Sequence, residues 1–172
     1  MPLMSWKQAK LKISLLCVKP TKWAKIFKQI REIFMKFVTS FKIGQVVSNS
    51  EIVSEFKVGN MGGMRRSLTT GTLVIIADHT KSLYNDKYYN QELHYTGMGK
   101  YGDQMLKSQN KTLAESNINN IEVHLFEVFE PKKYTYQGIV KLVGEPYQEI
   151  QKDDNQNPRK VWIFPLKKVS DF

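Results

Sequence analysis

Apolar residues recur at helical spacing at the start of this chain and at strand spacing through most of the rest. Trp23, Ile26, Phe27, Ile30, Ile33, Phe34 and Phe37 share one helical face, while Lys22, Lys25, Lys28, Arg31 and Glu32 fall mostly elsewhere. That pattern predicts an amphipathic basic helix. From Met35 the texture becomes mixed α and β. Residues 36–41 read as a short strand leading to Gly44. Asn49 or Ser50 is placed to cap a short helix through Phe56, with Ile52, Val53 and Phe56 facing inward. Residues 72–77 are apolar and β-branched, which predicts a buried strand. Residues 92–95, 121–129, 134–143 and 159–166 also read as strands, the last closing at Pro165. Residues 104–116 read as a helix with Asp103 at its N-terminus, where a carboxylate is favoured. Residues 59–66 form a glycine-rich basic loop and residues 153–158 a polar turn. Five or six strands and two short helices predict an α+β fold: a curved sheet or partly open barrel flanked by helices.

Charge sharpens the division at residue 35. The 172 residues carry a formal charge of +10, but residues 1–34 hold eight of the 26 Lys and Arg against one acid, Glu32. The remainder is only mildly basic, so affinity for a polyanion there must depend on placement rather than net charge. We therefore expect an N-terminal extension over residues 1–34 and one domain over residues 35–172. The extension has three open readings. It packs on the domain, it lies on an anionic membrane or DNA, or it precedes a true start at Met35. Cys17 is the single cysteine, which excludes an internal disulfide or a cysteine zinc site and fits a reducing cytoplasm. The apolar run 13–18 is too short to span a membrane, and no secretion signal is evident.

Residues 84–113 hold the chemistry. Tyr84 and Tyr95 flank Asp86, and Thr96-Gly97-Met98-Gly99 follows. Two aromatic faces and a carboxylate suit a planar, uncharged ring bearing an amino group, such as an extruded cytosine. Each piece also has a plainer reading. The tyrosines could be core, Asp86 a turn acid, Asp103 a helix cap, and Asn110 a tie for backbone; Trp162, Phe164, Phe126 and Phe129 read as core. His79, His94 and His124 lack neighbours spaced as metal ligands, and no cofactor is expected. Glu130-Pro131-Lys132 with Asp103 upstream is a loose echo of metal-dependent nucleases, weakened by a proline where a strand would be needed.

Several short motifs occur in an order that resembles the SRA (SET- and RING-associated) domain. They are Gly62-Gly63-Met64-Arg65, Ala77-Asp78-His79-Thr80, Tyr84-Asn85-Asp86, His94-Tyr95-Thr96-Gly97-Met98-Gly99, Gly102-Asp103-Gln104, Asn110-Lys111-Thr112-Leu113-Ala114, Tyr134-Thr135-Tyr136-Gln137-Gly138 and Arg159-Lys160-Val161-Trp162-Ile163-Phe164-Pro165-Leu166. The closer resemblance is to the SRA-like domains of bacterial McrA-type HNH modification-dependent restriction proteins. The resemblance implies an SRA/PUA-like fold that flips 5-methyl- or 5-hydroxymethylcytosine out of double-stranded DNA. Tyr84, Asp86, Tyr95, Thr96, Gly97 and Gly99 would form the base pocket. Asn60 or Met61 would enter the gap left in the duplex. Arg65, Arg66, Lys100, Lys107 and Lys111 would meet phosphate. The long finger loop of vertebrate relatives has no room between Gly99 and Gly102. The implied setting is bacterial restriction, with no catalytic residues in this chain; an alternative is an endonuclease whose HNH half is absent or degenerate. A nuclease in a separate polypeptide and a homodimer are the further partners considered, and a membrane is not.

Overall fold

The computed structural model describes residues 37–81 and 83–169. The amphipathic basic segment lies outside the described residues except for Phe37, and so does Cys17. Residues from Thr39 onward belong to one compact unit.

The run Thr72–Asp78 forms strand β3, and Thr72 to Ala77 are all buried. It pairs in parallel with β6 (Glu122–Glu130), from Thr72 opposite Glu122 to Asp78 opposite Val128. A strand covered on both faces needs a continuous apolar run rather than an alternating one, which is what this sequence supplies. The other pairings are antiparallel. They add β1 (Val46–Val47), β2 (Met64–Ser67), β4 (Lys87–Tyr89), β5 (Glu92–Thr96), β7 (Lys133–Leu142), β8 (Tyr147–Lys152) and β9 (Pro158–Lys168). The main path of this open sheet runs β2-β3-β6-β7-β9-β5-β4, with β1 on β7 and β8 on β9. With two short helices among the described residues, α1 (Asn49–Phe56) and α2 (Ser108–Ala114), the fold is α+β.

One core cluster joins Leu73, Ile75, Leu93, Tyr95, Leu113, Leu125, Phe164 and Leu166. A second packing centre lies at α1. Phe56 is fully buried, with Phe126 at 5.8 Å, His124 at 4.8 Å and Phe41 at 6.1 Å between ring centroids. Ser48 caps α1, one residue earlier than the sequence suggests: its hydroxyl accepts from Glu51 N while Glu51 accepts from Ser48 N. That reciprocal box satisfies two donors that the first helical turn leaves free.

Six sequence expectations are corrected. The sheet has nine strands among the described residues, not five or six; β1, β2, β4 and β8 are short or polar and carry little apolar period. Residues 37–41 form no strand, because Thr39 Oγ1 and Ser40 N both donate to Glu55 and hold the segment against α1. The helix expected over residues 104–116 begins only at Ser108, with Lys107 as an N-cap lacking a side-chain bond. Asp103 caps nothing there; its Oδ1 accepts from Lys160 N on β9 at 2.7 Å. Phe129 is 62% exposed rather than core, since the β6–β7 register breaks between Glu127 and Glu130 and turns it outward. Its ring stacks on His79 at 4.8 Å. Pro165 does not close β9: it lies opposite His94, and its carbonyl accepts from Val143 N.

Phe56→Ala should cost about 3–5 kcal/mol of unfolding free energy, and Phe129→Ala well under that, about 1 kcal/mol or less. Urea denaturation of both variants measures the contrast, and similar losses would contradict the burial described.

Candidate functional site

The candidate pocket is built in the connection between the two parallel strands. After β3 the chain passes Tyr84 and Asp86, makes the β4–β5 hairpin, turns at Gly97–Gly99 and returns through α2. The hairpin turns on Asn90 and Gln91, at φ 47° and 70°. Positive φ at both central residues is the twist-compatible hairpin geometry.

The glycine turn is held from beneath by two buried amides. Gln104 Nε2 donates to the Gly97 carbonyl at 2.6 Å, and Gln104 Oε1 accepts from Trp162 N at 2.9 Å. Asn110 Oδ1 accepts from Met98 N at 2.8 Å, while its Nδ2 donates to the Met98 carbonyl at 3.0 Å. Asn110 therefore ties backbone, the plainer of its two readings. A Cβ at Gly97 would sit 2.9 Å from both Asn110 Oδ1 and Gln104 Oε1, so only glycine fits. Gly99 adopts φ +138°, which side-chain-bearing residues rarely take.

Asp86 reaches the end of β5. Its Oδ1 accepts from Thr96 N at 2.7 Å, and the Thr96 hydroxyl bonds the same carboxylate. Burial pushes its pKa up to about 6, opposed by those two bonds. Glu127 and His79 act on Asp86 through space, the first raising and the second lowering its pKa. Glu127 is buried; its Oε1 accepts from Tyr88 OH at 3.1 Å and lies 3.0 Å from His79 Nε2. Burial and the neighbouring Glu127 push the Tyr88 phenol well up. Tyr84 is half-buried; its hydroxyl donates to the Gly99 carbonyl at 3.5 Å, and burial raises its pKa.

Tyr95 differs from the open aromatic face the resemblance implies. It is 3% exposed and belongs to the core, with its hydroxyl between the carbonyls of Gly63 at 3.0 Å and Ile76 at 3.3 Å. In this conformation the ring has no surface open to a ligand. Its hydroxyl instead links the pocket strand to the base of the glycine-rich loop.

That loop is presented by α1. Asn49 Nδ2 donates to the Asn60 carbonyl at 3.0 Å, and Asn49 Oδ1 accepts from Arg65 Nη1 at 2.6 Å. Asn60 is exposed, and Met61 is 80% exposed at the tip. Arg65 is corrected: it lies in β2, 6% exposed, and its Nε donates to the Gly62 carbonyl, so it props the loop rather than reaching for phosphate. Arg66 is half-buried, with Nη1 on Thr112 Oγ1 at 3.3 Å. Lys100, Lys107 and Lys111 are exposed; Lys111 lies 3.6 Å from Glu115. The Glu130-Pro131-Lys132 step is the tip of the β6–β7 hairpin, where Glu130 pairs with Lys133, and Asp103 is engaged with Lys160 N. Among the described residues, no three His, Cys, Asp or Glu side chains are grouped to hold a metal, and no helix is long and apolar enough to cross a membrane.

Sequence reasoning missed Tyr88, Glu127, Gln151 and Arg159. His79 belonged to a quoted motif, yet its partner Glu127 reads only as a polar position in a strand. Nothing in their spacing brings residues 79, 88 and 127 together before β3 and β6 pair.

A family profile described as the ScoMcrA-like SRA domain matches residues 43–171. The chain belongs to that family. Among solved structures, it is similar to the sulfur binding domain and SRA domain of ScoMcrA complexed with phosphorothioated DNA. That match has 18% identity and a TM-score of 0.63, covering 75% of this chain and 40% of that one. It is equally similar to the type IV phosphorothioation-dependent restriction endonuclease ScoMcrA, of which it spans 28%. The SUVH5 SRA domain in complex with methylated CHH DNA matches at 22% identity and TM-score 0.59, covering 77% of this chain and 92% of that one. At these identities the structural likenesses show the fold. No curated protein sequence matches the chain.

Two outcomes follow from the geometry. Gly97→Ala should lower stability by about 1–3 kcal/mol through the clash with Gln104 and Asn110, read as a lower thermal midpoint. Asp86 is more basic folded than its usual 3.8. Its contribution is thus full below pH 3.8 and is lost as pH rises through about 6. Asp86→Asn should remove that slope, so the variant gains on wild type between about pH 4 and 6 in pH-resolved urea melts.

Proposed function

We propose that the domain, over residues 35–172, binds modified DNA and reads 5-methyl- or 5-hydroxymethylcytosine in a duplex by base flipping, in a bacterial restriction or defence setting. The observation that supports this most is Asp86, held by Thr96 beside half-buried Tyr84 and a turn locked by buried amides. The DNA complexes of the SRA neighbours, with phosphorothioated and methylated DNA, support the ligand class.

The energetics close on this reading. Extruding a base costs a few kcal/mol. Stacking on one aromatic ring returns about 1–3 kcal/mol. A hydrogen bond from the cytosine amino group to the Asp86 carboxylate adds about 1.5–3 kcal/mol. That carboxylate disfavours thymine, which presents a carbonyl at the same edge. Tyr84 supplies the first stacking face. Tyr95 supplies a second only if its hydroxyl leaves the Gly63 and Ile76 carbonyls. Because Gly63 ends the loop carrying Met61, insertion of Met61 into the duplex and opening of the pocket are then mechanically linked. Lys100, Lys107 and Lys111 contact phosphate, as does Arg66 once released from Thr112.

A second reading makes the chain the recognition part of a modification-dependent endonuclease, with a nuclease half in the same or a separate polypeptide. Its likeness to part of an endonuclease supports that reading. Divalent-metal-dependent cutting of modified plasmid by the purified chain would favour it.

The test is a fluorescence-anisotropy competition at fixed salt on one duplex bearing plain, 5-methyl- or 5-hydroxymethylcytosine. Wild type should prefer a modified duplex by about tenfold, or 1.4 kcal/mol. Asp86→Ala should abolish that preference while keeping nonspecific affinity. Met61→Ala should weaken all three duplexes. Equal wild-type binding to all three, falling together with salt, would count against the reader.

A further inference from the structure

Arg159 is the least expected side chain near the pocket. It is 2% exposed, and none of the ion pairs among the described residues involves it. Its Nη1 donates to the Gly99 carbonyl, the same oxygen that receives the Tyr84 hydroxyl. Its Nε and Nη2 are buried and have no hydrogen-bond partner. These two atoms form one edge of the guanidinium, the side-on fork that meets both oxygens of a carboxylate or phosphate. Gln151 lies opposite Arg159 in the β8–β9 register, and its Oε1 is also buried without a partner. Gln151 Nε2 reaches Thr96 Oγ1 at 3.5 Å, and Thr96 in turn holds Asp86. Tyr84 and Arg159 thus meet at Gly99, while Asp86 and Gln151 meet at Thr96. The orphaned atoms on this cross-strand pair are two donors, Arg159 Nε and Nη2, and one acceptor, Gln151 Oε1. Among the described residues no ion pair joins Arg159 to Asp153, whose Oδ1 accepts from Asn155 N and Asn157 N, or to Asp154, which is exposed.

A buried cation without a counter-charge is strongly disfavoured, and an unmade hydrogen bond adds to that cost. Two parallel N–H donors call for an oxyanion of definite geometry, with the Gln151 amide turned so that Nε2 rather than Oε1 faces it. We propose that the Nε–Nη2 edge of Arg159, bordered by Gln151, is an oxyanion subsite of the pocket that binds two oxygens of the extruded nucleotide. Those oxygens belong either to the nucleotide's own phosphate or to an acidic substituent on the base, such as a 5-carboxyl group. The proposal rests on the base-flipping reading and adds a second recognition point to it. Asp86 reads the amino edge, and Arg159 reads an anion across the pocket.

Two variants of the full chain test it. Arg159→Met removes the fork and the unpaired charge. Gln151→Glu places a carboxylate opposite the fork and occupies it from within, so its thermal midpoint should rise. Each is titrated against duplexes bearing one plain, 5-methyl- or 5-carboxylcytosine, with Asp86→Ala alongside. If the phosphate is the ligand, both variants weaken the methyl and carboxyl duplexes alike by about tenfold. If the base substituent is the ligand, only the carboxyl duplex loses that factor. Inorganic phosphate at millimolar concentration should raise the melting temperature of wild type and not of Gln151→Glu. Wild-type affinities in both variants, with Asp86→Ala still losing modified-base preference, would overturn the subsite and leave the reader standing. Loss of neither preference nor affinity in all three would overturn both.

Discussion

The glycine turn at residues 97–99 depends on side-chain amides, and the pocket depends on the turn. Gln104 bonds the Gly97 carbonyl and Trp162 N, so one side chain fixes the turn and staples it to β9. Asn110 pairs with both polar atoms of the Met98 backbone, as a neighbouring strand would. A turn made of glycines has the largest conformational freedom to lose, and loops normally keep it on the surface. Here two buried amides remove that freedom. Asp86 is placed on Thr96, and Tyr84 and Arg159 on Gly99, so their positions follow from the backbone that these amides tie down.

The polar groups around the turn are not arranged for greatest stability. Asp86 is pushed up in pKa by burial, Glu127 lies close to it without a full counter-ion, and Arg159 sits across the Gly99 carbonyl with an empty fork. A protein optimised for stability alone would pair the acid with the arginine or replace both by apolar residues. Keeping them apart leaves one wall suited to a donor and another suited to an acceptor. Unpaired groups of this kind support the pocket proposed above, because binding sites give up local stability for selectivity.

What the sequence made legible follows from how local each signal is. β3 was readable because six consecutive buried positions leave a run no loop would carry, and α1 because a polar cap (placed at Asn49 or Ser50, one residue or more past Ser48), Ile52, Val53 and Phe56 lie within one short window. The segment from Tyr84 to Gly99 was singled out through its motif order. By contrast, β4 has no apolar period, and its turn, Asn90-Gln91, lacks the glycine that usually announces a hairpin. Arg65 sits in a basic glycine-rich stretch, so its charge suggested phosphate, but Asn49, sixteen residues earlier, claims the guanidinium. Phe129 looked buried until a register break turned it outward. Tyr95 was identified as a pocket residue from its neighbours in sequence, while its burial is set by Gly63 and Ile76 on other strands. Arg159 and Gln151 become neighbours only through the β8–β9 pairing.

The parallel pairing of β3 with β6 has a consequence for how the domain is assembled. Antiparallel neighbours such as β6 and β7 close through a tight hairpin, but parallel neighbours need a long crossover. In this chain the crossover, residues 79–121, holds Tyr84, Asp86, the β4–β5 hairpin, the glycine turn and α2. It must be carried as an unclosed loop until Thr72 to Asp78 find Glu122 to Val128, and long-range closure of this kind is slow relative to local structure. β5, which carries β4 on its other edge, also pairs with β9, the most C-terminal strand among the described residues. The pocket is therefore a late product of folding. Nascent chains have a sheet nucleus before the candidate pocket is complete, and that pocket closes only once β9 is available to pair with β5.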